Sequence, residues 1–435
     1  MTEQPKRERA AILIVAFDPY TITDGVHVVA TQGNGVVVEQ SDGLVLVDAG
    51  PGAGPTERMI ADVRSLTDAP VKAITYSHGH IGYNAGVPQW RAHNAERGDA
   101  PPDLIAQANA PVRLDRYQRT RPLQLLLNSW QFQAATREAL EVGLDIEPPT
   151  VTFGDRYRLD DPVVPIEVFA APSETDDSIA LWLPEQKILY GGPAVISGFP
   201  NVGTPLRTLR LTERWIATLD ALLALDAEIL IPEFGAVVRG ADEVRLRLTR
   251  TADALRWLVD EVMGRMNRGM LDVEIIHDLP PAPDYFDEPY LKDNYGAPDY
   301  VVRDLFREQN GWWVTRNPTD LHPAHPDEAA AAVRAAVDAD TVLAAARDHI
   351  DAGRLQVALH VLDLLALAPG DDEPVQQARR LKAECCDALA RQTAPFVSRS
   401  LYRGSARLLR TGRTRWSQAP DGLAAAEAET GAESS

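Results

Sequence analysis

The stretch that most constrains the fold is an apolar run, residues 71–76, that leads directly into Ser77-His78-Gly79-His80. The run reads as a β-strand, and the histidines fall in the loop after it. Two imidazoles one residue apart in such a loop can both reach one ion, and imidazole is a common ligand for zinc and other first-row metals. A histidine that caps the strand beside one that faces solvent fits the same pattern, so both interpretations stay open here.

A strand–helix–strand order surrounds this loop. Asp48 ends an apolar run and is followed by Gly50-Pro51-Gly52, so it either serves a site or caps the next helix. Residues 55–66 have helical spacing, with Met59 on the apolar face. Three short strand-like runs come before the helix, at residues 25–31, 34–39 and 44–48. The order predicts a sheet packed on helices.

Two charged segments follow the histidines. Residues 112–121 contain four arginines, which either line an anion site or form a solvated helical face. Residues 173–178 contain three acids, which either ligate an ion or form a solvated turn. Residues 179–183 and 188–190 predict a β-hairpin after that turn.

The order of these features is similar to that of the metallo-β-lactamase fold, and more closely to its alkylsulfatase-like branch. The branch is indicated by residues 199–207, by Asn310-Gly311-Trp312-Trp313, and by the helical region after Pro323. The resemblance covers roughly residues 20–412 and implies an α/β fold, an αββα sandwich with a metal site at one edge of its sheets.

Most of the family's metal ligands are replaced in this chain. The family loop is His-x-His-x-Asp-His, and of seven ligand positions only His78 and His80 keep a ligating side chain. The other five fall at Gly82, Tyr83, Ser178, Gly192 and Phe234. A zinc site normally has at least three protein ligands, so the resemblance implies at most one divalent ion per chain, with zinc the expected metal.

Neighbouring residues are candidates for the missing roles. Asp177, next to Ser178, is predicted as a third ligand or catalytic base, and Tyr83 as a catalytic hydrogen-bond donor to the substrate. Glu233 is a weaker substitute, because one residue along a strand turns the side chain to the opposite face. The resemblance implies that Arg207 and Arg210 bind the substrate's anionic group, although surface arginines fit the same positions, and Asn84 is predicted to bind the substrate as a hydrogen-bond donor.

Alanine-rich helical segments predict a second domain. They cover residues 326–338, 341–351, 355–367 and 373–390. Antiparallel helices of this kind are tetratricopeptide-like and resemble the alkylsulfatase dimerisation domain, which implies a homodimer. The predicted division is an N-terminal extension (1–18), a metallo-β-lactamase-like domain (19–277), a helical dimerisation domain (278–412) and a disordered tail (413–435).

Composition limits the partners. The chain has 435 residues and a formal net charge of −20, which argues against nucleic acid and anionic membranes. No apolar run is long enough to cross a bilayer. The two cysteines, Cys385 and Cys386, are adjacent and predict no disulfide framework, as is typical of a cytoplasmic protein.

Two functions therefore stay open. The resemblance implies a hydrolase that cleaves a small anionic ester, such as a sulfate ester, with metal assistance at a reduced site. The missing ligands leave a metal-depleted pseudoenzyme, acting as a binding or regulatory protein, as the alternative.

Overall fold

The computed structural model describes residues 17–133 and 135–419, in which the chain forms two compact units. The first unit contains two sheets. The seven strands of one sheet follow chain order: β1 (Tyr20–Thr23), β2 (Val26–Ala30), β3 (Asn34–Gln40), β4 (Gly43–Val47), β5 (Val71–Thr75), β6 (Asp103–Gln107) and β7 (Val151–Phe153). The six strands of the other sheet are also neighbours in chain order: β8 (Arg156–Leu159), β9 (Ile166–Ala170), β10 (Ile179–Leu183), β11 (Ile188–Tyr190), β12 (Ile229–Ile231) and β13 (Val238–Arg239).

Alternating side chains explain how the sheets pack. In β3 and β4, Val38 and Val45 point into the core between the two sheets, whereas Val37 and Leu46 point to the helices on the outer face. A strand sends successive side chains to opposite faces, so a strand that is apolar throughout fits a layer covered on both sides.

Helices cover both outer faces, as the αββα prediction requires. Residues of α1 to α3 pack on the first sheet, and residues of α6, α7 and α9 pack on the second. The helices of this unit are α1 (Ala53–Leu66), α2 (Val87–Arg97), α3 (Ala110–Arg119), α5 (Arg137–Gly143), α6 (Thr212–Leu223), α7 (Ala241–Met266), α8 (Asp272–Asp278) and α9 (Pro298–Asn310).

The second unit is helical and is formed by two separate stretches of the chain, the first of which interrupts the sequence of the other unit. It consists of residues 122–136 together with residues from 310 onward. Its helices are α4 (Arg121–Gln131), α10 (Pro326–Ala336), α11 (Ala339–Asp351), α12 (Leu355–Ala366), α13 (Glu373–Gln392) and α14 (Phe396–Arg410). Leu355, Leu359 and Leu362 lie in its core.

Among the described helices, none has the length and apolar character needed to span a bilayer. The predicted N-terminal extension lies almost wholly outside the described residues, and so does the predicted tail beyond residue 419.

Candidate metal centre

A buried aspartate fixes the histidine loop at one edge of the first sheet. Asp48 follows β4, and its Oδ1 accepts hydrogen bonds from the Ser77 backbone N–H at 2.8 Å and the Asn84 side-chain amide at 2.9 Å. Burial raises the pKa of Asp48 to about 7. The Asn84 side-chain oxygen also accepts from the Ala49 N–H at 3.0 Å, so this predicted substrate-binding residue is buried and joins the loops after β4 and β5.

Three ligating side chains converge at that edge. His78 Nε2 lies 2.9 Å from His80 Nδ1, which lies 3.7 Å from Glu174 Oε1. The ligand atoms of His78, His80 and Glu174 all lie within 4.8 Å of one another, so they could hold one metal ion. Burial lowers the pKa of both histidines well below 6.5, and nearby arginines add to the effect. A neutral imidazole has one ring nitrogen whose lone pair can bind a metal cation.

Glu174 is also bound to cationic and amide groups. Its Oε1 lies 2.8 Å from Arg210 Nη1 and accepts a hydrogen bond from Asn201 Nδ2 at 2.5 Å. Arg210 is buried, and its guanidinium donates to the Asn201 carbonyl at 2.6 Å. Burial lowers the pKa of Arg207, the other predicted substrate-binding arginine, and Arg207 interacts electrostatically with Glu174 and Arg210. The structure therefore places Arg210 against the carboxylate of this cluster, with Arg207 in electrostatic reach of it.

Asp177 lies behind the histidine loop. Its Oδ2 accepts the Gly79 N–H at 2.8 Å, and its Oδ1 accepts from Arg113 Nε at 2.8 Å. The residue between the two histidines is thus tied to a buried ion pair. A Cβ at Gly79 would lie only 2.7 Å from Asp177 Oδ2, so the close approach requires glycine. The role predicted for Asp177 as ligand or base stays a prediction.

Tyr83 forms a buried pair with Glu233. The Tyr83 hydroxyl donates a hydrogen bond to Glu233 Oε1, and the Tyr83 ring packs edge-on against His78 at 4.3 Å between ring centres. Burial raises the pKa of Glu233 well above its usual value, with the nearby Glu174 charge adding to it. Burial likewise raises the pKa of Tyr83, with the Glu233 charge second. The protonated, uncharged forms of both Tyr83 and Glu233 are therefore favoured beside His78.

A polar cleft opens next to the cluster. Its volume is about 270 Å³, and its lining includes Glu174 of the cluster and Arg210, which contacts Glu174. The other lining residues are Arg113, Arg116, Pro172, Ser173, Thr175, Asp176, Thr208, Leu209, Leu211 and Arg214.

Sequence reasoning found the two histidines but missed Glu174 as their partner. The signal was present, since Glu174 belongs to the acidic turn that the sequence singled out. The choice among the three acids of that turn depends on where each one points. Asp177 faces Gly79 and Arg113, whereas Glu174 faces His80.

Two family profiles match successive parts of the chain. Residues 28–233 match the metallo-beta-lactamase superfamily, and residues 272–412 match the alkyl sulfatase dimerisation family. These ranges contain most of the two sheets with the candidate metal centre, and most of the helical unit.

Similar proteins include alkylsulfatases from Pseudomonas. A linear primary-alkylsulfatase is 27% identical over 80% of this chain and 68% of its own length. An (R)-specific secondary-alkylsulfatase is 27% identical over 87% of this chain and 60% of its own length. The solved structure of a stereoselective inverting sec-alkylsulfatase superposes with a TM-score of 0.77 at 23% identity, covering 91% of this chain and 66% of the other, which shows the shared fold. The chain thus spans about two thirds of the length of these relatives.

Proposed function

Because this chain belongs to the metallo-β-lactamase superfamily, in its alkylsulfatase-like branch, we propose that it hydrolyses a sulfate ester with the help of one divalent metal ion. The observation that carries the proposal is the convergence of His78, His80 and Glu174, with the buried Arg210 guanidinium 2.8 Å from Glu174. The reaction consumes one water: R–O–SO₃⁻ and H₂O give R–OH and HSO₄⁻. The organic group leaves as an alcohol, and the released sulfate carries the remaining proton.

The three side chains fit a divalent ion by number and type. Two neutral imidazoles and one carboxylate make the smallest protein ligand set usual for a catalytic zinc site. When bound, the ion would supply Lewis acidity that makes water a better nucleophile. Glu174 would exchange part of its interaction with Arg210 for the ion, which leaves that guanidinium available to an anion.

We assign the anionic ester group to Arg210 and Arg207. Guanidinium groups bind sulfate through paired N–H donors, and both arginines belong to the electrostatic surroundings of Glu174. Asn84 would act indirectly, since its amide holds the loops that carry the site.

The Tyr83–Glu233 pair supports a single ion. Tyr83 occupies a position where the family has a metal-binding histidine, and Glu233 precedes the position of another. Their hydrogen bond joins these two positions, in a region where burial disfavours the Glu233 anion. We therefore propose no more than one ion per chain, with zinc as the expected metal.

We propose roles for Asp177 and Tyr83 in the chemistry that are compatible with their contacts. Asp177 would keep the histidine loop in place through Gly79, or act as a base if Arg113 releases it. The Tyr83 hydroxyl would donate to the substrate when Glu233 accepts another donor. Exchange of Asp177 for Asn should lower turnover by roughly 100-fold or more if it acts as a base.

The proposal is tested by metal content together with sulfate release. Protein purified without a His-tag should bind at most one zinc, manganese or iron ion per chain. It should release sulfate from a panel of alkyl and aryl sulfates in a way that chelation abolishes. Glu174→Gln should lower metal affinity by about 10-fold or more, because it removes an anionic ligand. The exposed Glu185→Gln, on the β10–β11 turn, is the matched control.

Two results would overturn this assignment. Two tightly held ions per chain would mean that other residues complete the family's paired site. Turnover that survives both chelation and the His78→Ala, His80→Ala double variant would exclude the metal cluster from the chemistry. No turnover of any sulfate, phosphate or carboxylate ester with any of these metals would leave the pseudoenzyme, which no observation on the described residues favours.

We also propose a cytoplasmic homodimer that acts on a small anionic ester. The alkyl sulfatase dimerisation match over residues 272–412 supports the dimer. Cys385 and Cys386 are both buried and unbridged, which suits a reducing compartment. Cell fractionation followed by immunodetection tests the location.

A further inference from the structure

The polar cleft beside Glu174 contains more positive charge than its acids neutralise. Its acidic lining residues are Glu174 and Asp176, and each is already paired with one arginine of the lining. Arg210 lies 2.8 Å from Glu174 Oε1. Arg113 binds Asp176 and also Asp177. These two arginines are therefore balanced by their own carboxylates.

The other two arginines of the lining have no such partner. Arg116 on α3 and Arg214 on α6 have no carboxylate within 4.0 Å among the residues that the structure describes. The Arg116 Nε is buried and has no hydrogen-bond partner in the part of the chain that the structure describes. In a chain with a net charge of −20, two guanidinium groups without an ion-pair contact concentrate a positive field in this cleft, although Arg214 interacts at longer range with Glu308.

Neutral donors add to this field. Helix α6 begins at Thr212, and its N-cap residue Leu211, which lines the cleft, provides no side-chain cap. The N–H groups of an uncapped first turn attract anions. The Ser173 hydroxyl also belongs to the lining, is buried, and has no hydrogen-bond partner within the described residues.

We propose that the cleft binds a second anionic group on the organic part of the substrate, so that the preferred substrate is a sulfate ester that also carries a carboxylate, phosphate or sulfate. This rests on the proposed function, because Arg210 and Glu174 join the cleft to the metal centre. An alkyl chain would instead need an apolar lining, and seating one here would strip water from Arg116 and Arg214 without replacing its hydrogen bonds. Arg116 and Arg214 are thus the specificity-determining residues.

The test compares two esters of equal chain length, hexyl sulfate and 6-sulfooxyhexanoate, with sulfate release measured by ion chromatography. The wild-type protein should show a kcat/KM at least about 10-fold higher for the carboxylated ester. The Arg116→Gln, Arg214→Gln double variant should lower that preference by at least about 10-fold, mainly through KM, because it removes binding to the part of the substrate that does not react. A wild-type preference below twofold, or one that the double variant keeps, would overturn the proposal.

The matched control changes the same charge outside the cleft. Arg119→Gln with Arg245→Gln removes two exposed arginines, one on α3 and one on α7, and should leave the preference unchanged. If it lowers the preference as much as the cleft variant does, general charge explains selectivity and the cleft does not.

A binding measurement separates failure of the cleft from failure of the proposed function. If no ester is hydrolysed, calorimetric titration with 6-sulfooxyhexanoate still reports on the cleft. Binding at least about 10-fold weaker in the Arg116→Gln, Arg214→Gln variant than in the control supports the anion site even in a non-catalytic protein. Equal binding by both variants, or none by the wild type, would overturn it.

Discussion

At the scale of single residues, the site is organised by buried ionisable side chains that have specific partners. Asp48 anchors the histidine loop, Asp177 anchors its central glycine, and Glu233 accepts a hydrogen bond from the Tyr83 hydroxyl. Each carboxyl group is almost wholly removed from water, and its free energy in the folded state depends on those partners. Substitution of either partner should therefore be measurable in stability as well as in activity.

Asp48 should make the protein less stable as pH rises. Its pKa is about 7 in the folded state against 3.8 for the ordinary group, so between these values the native state binds more protons than the unfolded chain. The free energy of unfolding then falls with pH across this window, by at most about 1.4 kcal/mol per pH unit from this group. Asp48→Asn should flatten the curve between pH 4 and 7 in denaturant titrations. An unchanged slope in the variant would contradict the raised pKa.

Loss of the Tyr83 hydroxyl should destabilise the fold. Tyr83→Phe leaves the Glu233 carboxyl buried without its donor, which should lower the free energy of unfolding by about 1–3 kcal/mol. Tyr157→Phe, on a partly buried strand residue of the same unit, should change it by less than about 0.5 kcal/mol. Equal changes in the unfolding free energy of the two variants, measured by urea titration, would show that the Tyr83–Glu233 hydrogen bond does not stabilise the fold.

At the scale of elements, the sequence predicted what depends on local patterns. The β10–β11 hairpin has the bounds that its two apolar runs indicated, residues 179–183 and 188–190. The site was harder to predict, because Glu174 meets His80 only after two distant loops fold to one edge. The Arg113–Asp177 pair was unpredictable for the same reason: spacing along α3 shows which arginines share a face but not what faces them.

One arginine of the helical unit should be essential to the end of α12. The Arg379 guanidinium donates to the carbonyls of Ala366, Ala368 and Gly370 at 3.0, 2.7 and 3.0 Å. Carbonyls at a helix end lack partners within the helix, so Arg379→Ala should cost about 2–4 kcal/mol of unfolding free energy. Arg380→Ala removes the next, exposed arginine of α13 and should cost under about 1 kcal/mol. Thermal unfolding of both variants tests the difference.

At the scale of the whole molecule, we predict a homodimer. Residues 272–412 match the alkyl sulfatase dimerisation family, and α12 leaves Val357 and Leu364 42% and 38% exposed. Two-fold pairing is the commonest way to cover such side chains. Light scattering during gel filtration should give twice the chain mass of 47.6 kDa at micromolar concentrations. A constant monomer mass across a dilution series would contradict the prediction.

The segment 122–136 has a consequence for biosynthesis. Its Trp130 is fully buried and stacks on Trp416 at 4.1 Å between ring centres, and its Phe132 lies near Phe396. A ribosome adding roughly 5–20 residues per second needs on the order of 10–30 s to make the chain between this segment and residue 310. During that interval the nascent chain holds two large aromatic side chains whose partners do not yet exist. The order of assembly in the helical unit therefore differs from the order of translation, and a holding chaperone has a defined early target.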